Sequence, residues 1–447
     1  MKAVFNLENI KYSLVYLFIA FSIFVYFYTP NIKYIPISLD KFLLLFMLSW
    51  TILKRQETFL KILGNPKIFK LVCLYFLILF YTLALDLIVI DGIKTTYHVG
   101  LYLIQYIPFS ICLFLFMDYY LKGPIVDETI KLFIYIVFFQ CFIGWIMFIN
   151  PTFKLFIYDI QSADPENMYK GLFLRGNGFS SGLAFSIPLI HGAIMSVILL
   201  MALSKPKFST LFYFFFCLSI SLLNARIALI PILITLPFIL IKALLNFNPF
   251  QLLRFAFIFI LSIYLLFVLS TSSSFFYENI QQLQKIFDWI VGGYSNLFGF
   301  DNNSGKESIV QILLGSIHIN TDLLPLLFGE GIVAFDSINK QSDIGLVNLI
   351  TFGGIFYLLS VHFVTYYSLY LGFISSSSQV IKYTIFIVAL SYLAGSMKGI
   401  VFTEQILGRF LILIVVFSLV EKIMKNLRIR NKNFIIRQTN SNLINAS

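Results

Sequence analysis

Apolar runs of roughly 20 residues recur along the whole chain and are separated by short polar connections. An α-helix of that length crosses about 30 Å of hydrocarbon. The pattern predicts an all-α, polytopic integral membrane protein, a single membrane domain over residues 1–447 with about twelve transmembrane helices. The predicted spans are 13–29, 40–53, 68–90, 98–117, 129–149, 179–202, 208–223, 226–243, 252–270, 343–371, 379–397 and 405–423. Because several are short or long for a perpendicular crossing, we expect tilt or a broken helix.

Composition supports the membrane class. Hydrophobic residues make up 59 % of the chain, charged residues make up 12 %, and the mean hydropathy is +0.89. A soluble protein of this length would need far more charge to cover its surface. The four cysteines all fall inside apolar runs without CxxC spacing, so they are predicted to be small core residues with no disulfide or metal. We interpret His191, which also lies in an apolar run, as a satisfied core histidine.

The net charge of +11 raises the question of a nucleic-acid partner, but its distribution argues against one. Most positive residues flank apolar runs, and with twelve spans they fall on one side together with both termini. The positive-inside rule makes that side cytoplasmic, including a basic tail over 424–447. The residues in question are Lys54, Arg55, Lys61, Lys67, Lys70, Lys122, Lys205, Lys207, Lys242, Arg254, Lys422, Lys425, Arg428, Arg430, Lys432 and Arg437.

Two long connections, 150–178 and 271–342, then fall on the outer face and are predicted to be periplasmic loops. The cytoplasmic face has no comparable loop, and the chain contains no GxxxxGK[ST] sequence, so ATP-driven transport is unsupported. This arrangement indicates a protein that acts on something outside the membrane.

The second loop has internal order in its sequence. Apolar residues spaced by three and four over 276–290 predict an amphipathic helix at the membrane surface. Residues 304–307 have capping-box spacing ahead of an apolar run, which predicts a second helix. Pro325 and the pair Gly329 and Gly331 are then expected to break and turn the chain.

Three arginines are candidate phosphate ligands. Arg175, Arg226 and Arg409 lie on the predicted outer side, each at or near the start of an inward-running span. The planar guanidinium suits phosphate oxygens, so three at one depth could clamp a pyrophosphate. Two alternatives stay open: each arginine reaches out to lipid headgroups, and Arg409 pairs locally with Glu404.

Asp343 and His318 are the candidate catalytic residues. Asp343 begins an apolar run at the outer face, where a carboxylate could take a proton from a sugar hydroxyl, or could simply cap the helix. His318 is the single histidine of the long loop and either serves as a base or ends a helical run. Glu330 and Asp336 are weaker alternatives for the base. No residues have metal-ligand spacing, so we predict no metal site.

Three segments together resemble the O-antigen polymerase family, to which O-antigen ligases are related. They are LFLRGNGFSSGLAFSIP, LLNARIALIP and LFGEGIVAFDSINKQSDIGLVNLITFGGIFYLL. The first two are similar to arginine-containing segments that lead into spans, and the third to a Gly-x-Gly, an Asp and a Gly-containing return helix. The span number and the two outer loops extend the resemblance over nearly the whole chain.

The resemblance implies an enzyme of the bacterial inner membrane that joins oligosaccharide repeat units carried on undecaprenyl pyrophosphate. Both donor and acceptor would be lipid-linked, undecaprenyl pyrophosphate would leave, and neither metal nor nucleotide would be needed. Carried over, Arg175 and Arg226 would bind the pyrophosphate and Asp343 would orient or deprotonate the acceptor hydroxyl. Membrane lipid is an implied partner, and binding of a chain-length regulator is left open.

Two other functions remain open. A ligase is disfavoured because related ligases have a histidine near the start of the return helix, where this chain has Ser342 and Asp343. A flippase or transporter of lipid-linked oligosaccharide should carry charges within its spans, whereas the span interiors read as nearly charge-free.

Overall fold

The computed structural model describes residues 7–30, 32–35, 38–88, 94–121, 123–161, 179, 186–204, 208–224, 228–245, 253, 260, 322–331, 345–396 and 405–446. Regular structure in these ranges is entirely helical, and they contain no strand. The helices are α1 Leu7–Tyr28, α2 Leu39–Leu63, α3 Pro66–Ile88, α4 Lys94–Leu101, a π-helical turn Tyr102–Tyr106, α5 Ile107–Tyr120, α6 Ile125–Ile149, α7 Pro151–Ile160, α8 Ser186–Ser204, α9 Phe208–Asn224, α10 Leu229–Leu245, α11 Leu323–Phe328, α12 Gly345–Ser375, α13 Gln379–Ser396 and α14 Gln405–Ala446.

Five helical segments in the described part of the chain are long and apolar enough to cross a membrane. They are Pro66–Leu87, Thr96–Tyr120, Ile125–Ile149, Gly345–Ser375 and Gln379–Ser396. Shorter apolar helices are Tyr12–Tyr28, Ile187–Ala202, Ser209–Ser221 and Leu229–Phe238. The all-helical membrane class is therefore confirmed, whereas the number of spans and the periplasmic loops stay predictions.

Helices lie where the pattern placed spans, with differences in length. The predicted span 252–270 is outside the described residues except for two isolated positions. Helix α2 continues past the predicted end at residue 53 to Leu63, across a non-helical residue, Arg55 (φ −142°, ψ 24°). Tilt or a broken helix was expected in some span, and α12 is broken: it has 31 residues and is interrupted at Gly354 (φ 71°, ψ −175°).

Helix α14 forms the centre of the bundle. Every residue from Ile406 to Val420 is buried, and the helix packs against α1, α3, α5, α6, α8, α12 and α13. At 1.5 Å per residue its 42 residues span about 63 Å, roughly twice the thickness of a hydrocarbon core. The predicted basic tail is therefore a helical continuation of the last span through Ala446.

Contacts between distant helix ends define two opposite ends of the bundle. At one end, which we call the loop end, Lys33 binds the end of α7 through its backbone (N to Ile160 O, 2.8 Å) and its side chain (Nζ to Asp159 Oδ1, 3.1 Å). At the other, which we call the basic end, the Ser378 hydroxyl donates to the Asp127 carboxylate at 2.7 Å.

Candidate functional site

A glycine turn at the loop end carries part of the third sequence motif. Helix α11 ends at Phe328, and the chain turns through Gly329 (φ 82°, ψ 173°), Glu330 and Gly331 (φ 67°). The Gly329 conformation belongs to a region that only glycine occupies readily. A Cβ atom on Gly329 would also overlap the carbonyl oxygen of Phe352, so backbone approaches backbone here without an intervening side chain.

The turn binds the break in α12. A helix interrupted at Gly354 leaves carbonyl groups just before the break without their usual partners four residues later. Two of them accept from the turn instead: Glu330 N donates to Thr351 O at 2.8 Å, and Gly331 N donates to Phe352 O at 2.9 Å. The break thus has its hydrogen bonds restored by a segment that precedes it in the chain.

Two tyrosines complete the surroundings of the break. The Tyr81 hydroxyl of α3 donates to Gly353 O at 2.8 Å, and the Tyr81 ring stacks on buried Tyr357 at 5.6 Å. A Cβ on Gly354 would overlap the backbone of Leu327. Three segments, α3, α11 and α12, therefore meet at one irregular stretch of backbone.

The predicted glycine turn is confirmed, but Pro325 lies in a helix and not in the turn. Pro325 lies within the first turn of α11, where proline is tolerated because its missing N–H has no helical acceptor there. The turn comes from the glycines alone. The predicted amphipathic helix at 276–290 and the capped helix after 304 lie outside the described residues.

Arg409 lies in a buried polar network at the same end. Its side chain is 2 % exposed, and Nη1 donates to Tyr26 O at 2.7 Å, one of the last carbonyls of α1. Its Nη2 lies 3.7 Å from Asp40 Oδ2, and its guanidinium carbon is 4.9 Å from the centre of the Tyr106 ring. Arg409 therefore pairs with an aspartate of α2 that is distant in the sequence. The predicted local partner, Glu404, lies outside the described residues.

Besides its ion pair with Arg409, Asp40 accepts a hydrogen bond. Gln105 Nε2, in the π-helical turn, donates to Asp40 Oδ2 at 2.6 Å. The sequence reasoning had not singled out Asp40 or Gln105. The available signal was a lone acid at the start of an apolar span, opposite a lone arginine at the start of another.

His191 is part of a second buried cluster, and its interpretation as a satisfied core histidine is confirmed. It is 2 % exposed, with Nε2 at 2.9 Å from the Tyr28 hydroxyl and Nδ1 at 3.1 Å from the Ser221 hydroxyl. The Cys141 sulfur lies 3.6 Å from the same Nδ1. Both ring nitrogens have neighbours, so packing alone accounts for the residue.

The other predicted site residues, Arg175, Arg226, His318 and Asp343, lie outside the described residues. The helices that follow the two arginines do pack together. Gly192 of α8 contacts the backbone at Ala228, just before α10, so closely that a Cβ would overlap the Ala228 carbonyl. The first two sequence motifs thus lead into neighbouring helices.

No protein-family model matches the chain, and no curated protein matches it. Within the described residues, no group of three or more His, Cys, Asp or Glu side chains is arranged to hold a metal ion.

Proposed function

We propose that the protein is a membrane-embedded glycosyltransferase of the O-antigen polymerase type. It would transfer a growing oligosaccharide from undecaprenyl pyrophosphate to a new lipid-linked repeat unit at the outer face of the inner membrane. The pyrophosphate would leave bound to Arg175 and Arg226, with Asp343 as the acceptor-side acid or base and His318 as its alternative. This assignment rests on the three-segment resemblance and on the organisation of the third segment.

The observation that carries the proposal is the joining of the two glycine pairs of the third motif. Gly329 and Gly331 meet Gly353 and Gly354 across a broken helix. Irregular backbone within a membrane bundle is tolerated where protein or a water-filled cavity surrounds it, and broken helices commonly flank binding sites at membrane depth. A turn of this kind, with Asp343 following within the same segment, suits an enzyme that must admit a lipid-linked sugar from one leaflet.

Arg409 enters the proposal in a different role from the other arginines. Its described contacts hold α1 and α2 against α14, so a direct phosphate contact would require exchange of Asp40 or Tyr26 O for the phosphate. We propose that Arg409 primarily positions the helices around the site. Its direct contact with pyrophosphate stays a prediction.

A flippase is the second candidate, because one observation favours it. Three charged residues near the ends of their helices are buried: Asp40, Asp86 and Arg409 are 6 %, 7 % and 2 % exposed. Buried charged residues within a membrane bundle are typical of transport pathways. The argument from charge-free spans therefore no longer counts against this alternative.

The test is the lipopolysaccharide pattern of a clean deletion strain on a gel. A polymerase predicts core capped with a single repeat unit in place of a ladder, restored by the wild-type chain. Loss of a ligase would leave bare core with polymer on the lipid carrier. Loss of a flippase would leave units on the inner leaflet and no capped core, and a persisting ladder would exclude the polymerase.

The same strain tests the proposed ligands. Arg175→Ala and Arg226→Ala should each collapse the ladder at normal protein levels. Arg428→Ala is the matched control, since that arginine lies at the basic end, far from the loop end. Normal ladders from both Arg175→Ala and Arg226→Ala would contradict the proposal that these arginines bind pyrophosphate. The polymerase assignment would then depend only on the phenotype of the deletion strain.

A further inference from the structure

Two lysines meet at the end of α12, at the basic end of the bundle. Lys67 Nζ of α3 donates to Ser375 Oγ at 3.3 Å, and Lys422 Nζ of α14 donates to Ile374 O at 3.1 Å. Their acceptors belong to adjacent residues, and the two ammonium groups lie close enough to repel each other. Two positive charges from distant parts of the chain are thus held at one place.

Carboxylates occur at this end, among them Asp127, which accepts from Ser378, and Glu421, the residue before Lys422, but neither pairs directly with the two lysines. Within the described part of the chain, no carboxylate oxygen lies within 4.0 Å of either ammonium group, and the nearest ion pair along α2, Lys61 with Glu57, is solvent-exposed. The carboxyl end of α12 carries a partial negative charge that suits one cation. A second cation at the same point adds repulsion, which a bound anion would relieve.

A cavity of about 370 Å³ opens beside the lysine pair. The turn 64–66 and Lys61 form one wall, and Ile423, Asn426 and Leu427 of α14 form the other. Lys67 and Lys422 are not lining residues, but each is the sequence neighbour of one: Lys67 follows Pro66 and Lys422 precedes Ile423. Its lining combines cationic and amide groups with two aliphatic side chains.

We propose that Lys67 and Lys422, together with this cavity, bind the phosphodiester headgroup of an anionic phospholipid. The ammonium groups meet the phosphate oxygens, the asparagines offer further donors, and Ile423 and Leu427 pack against the beginning of an acyl chain. Basic pockets between membrane helices at the positively charged side bind such headgroups on the same physical grounds. The site is separate from the proposed glycosyl-transfer site and stands whether or not that function is correct.

Native mass spectrometry of the full-length protein in detergent tests the proposal. Delipidated protein is titrated with phosphatidylglycerol or with phosphatidylcholine of the same acyl chains. We expect wild type to bind phosphatidylglycerol more tightly, and Lys67→Gln/Lys422→Gln to bind it about 25-fold more weakly, from two basic contacts of ordinary strength. Lys54→Gln/Lys131→Gln removes the same charge elsewhere in the protein and should retain wild-type binding.

Three results would overturn the assignment. One is equal loss of phosphatidylglycerol binding in both double variants, which would mean general attraction of the membrane surface to positive charge. Another is unchanged binding in Lys67→Gln/Lys422→Gln. The third is stabilisation by millimolar inorganic phosphate without preference for phosphatidylglycerol, which would make this a site for free phosphate.

A second double variant distinguishes loss of lipid binding from loss of folding. If Lys67→Gln/Lys422→Gln unfolds at a lower temperature in the absence of lipid, Lys67→Arg/Lys422→Arg keeps both charges and should keep the phosphatidylglycerol preference. Loss of that preference in the arginine variant, with wild-type thermal stability, would also contradict the proposal.

Discussion

Helix α14 carries two arginine–aspartate pairs, one toward each end of the bundle. Arg409 lies 3.7 Å from Asp40 at the loop end, and Arg428 lies 2.6 Å from Asp118 at the basic end. By distance alone the second pair is the tighter. Exposure separates the two arginines: the Arg409 side chain is 2 % exposed and the Arg428 side chain 65 %, whereas both aspartate side chains are nearly buried, at 8 % and 7 %.

The comparison shows that surroundings matter more than separation. An exposed arginine can exchange its partner for water, and nearly buried Asp118 keeps Arg55 at 3.8 Å, so we expect the loss of Arg428 to cost little stability. A buried arginine cannot, and the loss of either partner leaves an uncompensated charge in an apolar interior. With their neighbours, the Arg409 pair joins α1, α2, α14 and the π-helical turn, and the Arg428 pair joins α2, α5 and α14.

The largest effect is expected from Asp40→Ala, which leaves the Arg409 guanidinium buried without its carboxylate. We expect a loss of about 3–5 kcal/mol in stability, the usual cost of breaking a buried pair by removing one partner. Thermal unfolding in detergent would measure it. The double change Asp40→Leu/Arg409→Met should recover much of the loss, and a double variant no more stable than Asp40→Ala would contradict a charge-based origin.

The glycine turn tests whether irregular backbone at the loop end matters as much as buried charge. Gly354→Ala and Gly329→Ala should each cost about 1–3 kcal/mol from backbone strain, with more from overlap against a neighbouring backbone. Gly123→Ala is the control, because its Cβ meets nothing within 4 Å. Wild-type unfolding temperatures for both turn variants would show that the turn detaches easily from α12.

A smaller effect at the same end is expected from Tyr81→Phe. The change removes one hydrogen bond, to Gly353 O, and keeps the ring stacked on Tyr357. We expect a loss of about 0.5–1.5 kcal/mol, the net value of a typical hydrogen bond. Comparison of unfolding temperatures with those of the glycine variants separates this bond from the rest of the packing. A loss as large as that of Gly354→Ala would argue that Tyr81 holds the break closed.

The smallest effect is expected from Arg428→Ala. Asp118 keeps Arg55 at 3.8 Å, and the arginine that is lost is largely exposed. We expect a change of about 0–1 kcal/mol that shrinks further at high salt. A loss as large as that of Asp40→Ala would overturn the ordering drawn from burial.

Much of the architecture was already readable from the pattern of apolar residues. Helices lie where spans were predicted throughout the described chain, because each apolar run is long enough to require a helix with all its backbone bonds internal. The span lengths predicted tilt or a broken helix somewhere in the chain, but they did not predict that the break would lie in α12 at Gly354. Helix α2 ran further than its apolar run, since polar residues after Arg55 extend it at the basic end.

The site was less predictable. Arg409 was singled out as a candidate phosphate ligand with Glu404 as a possible partner, but its observed partner Asp40 lies hundreds of residues away, and no local spacing connects them. The glycines of the third motif were likewise noticed as a turn and as part of a return helix. Their contact across Thr351 O and Phe352 O depends on how α11 folds back, which local sequence does not specify.

Hydropathy alone therefore set the helical membrane class and the placement of most helices, since each run of apolar residues has one favourable way to cross hydrocarbon. Packing between helices decided which polar residues meet: Asp40 with Arg409, the glycine turn with the break, and Lys67 with Lys422. Such pairings follow from three-dimensional proximity among residues far apart in the chain. Apolar periodicity carries no information about them.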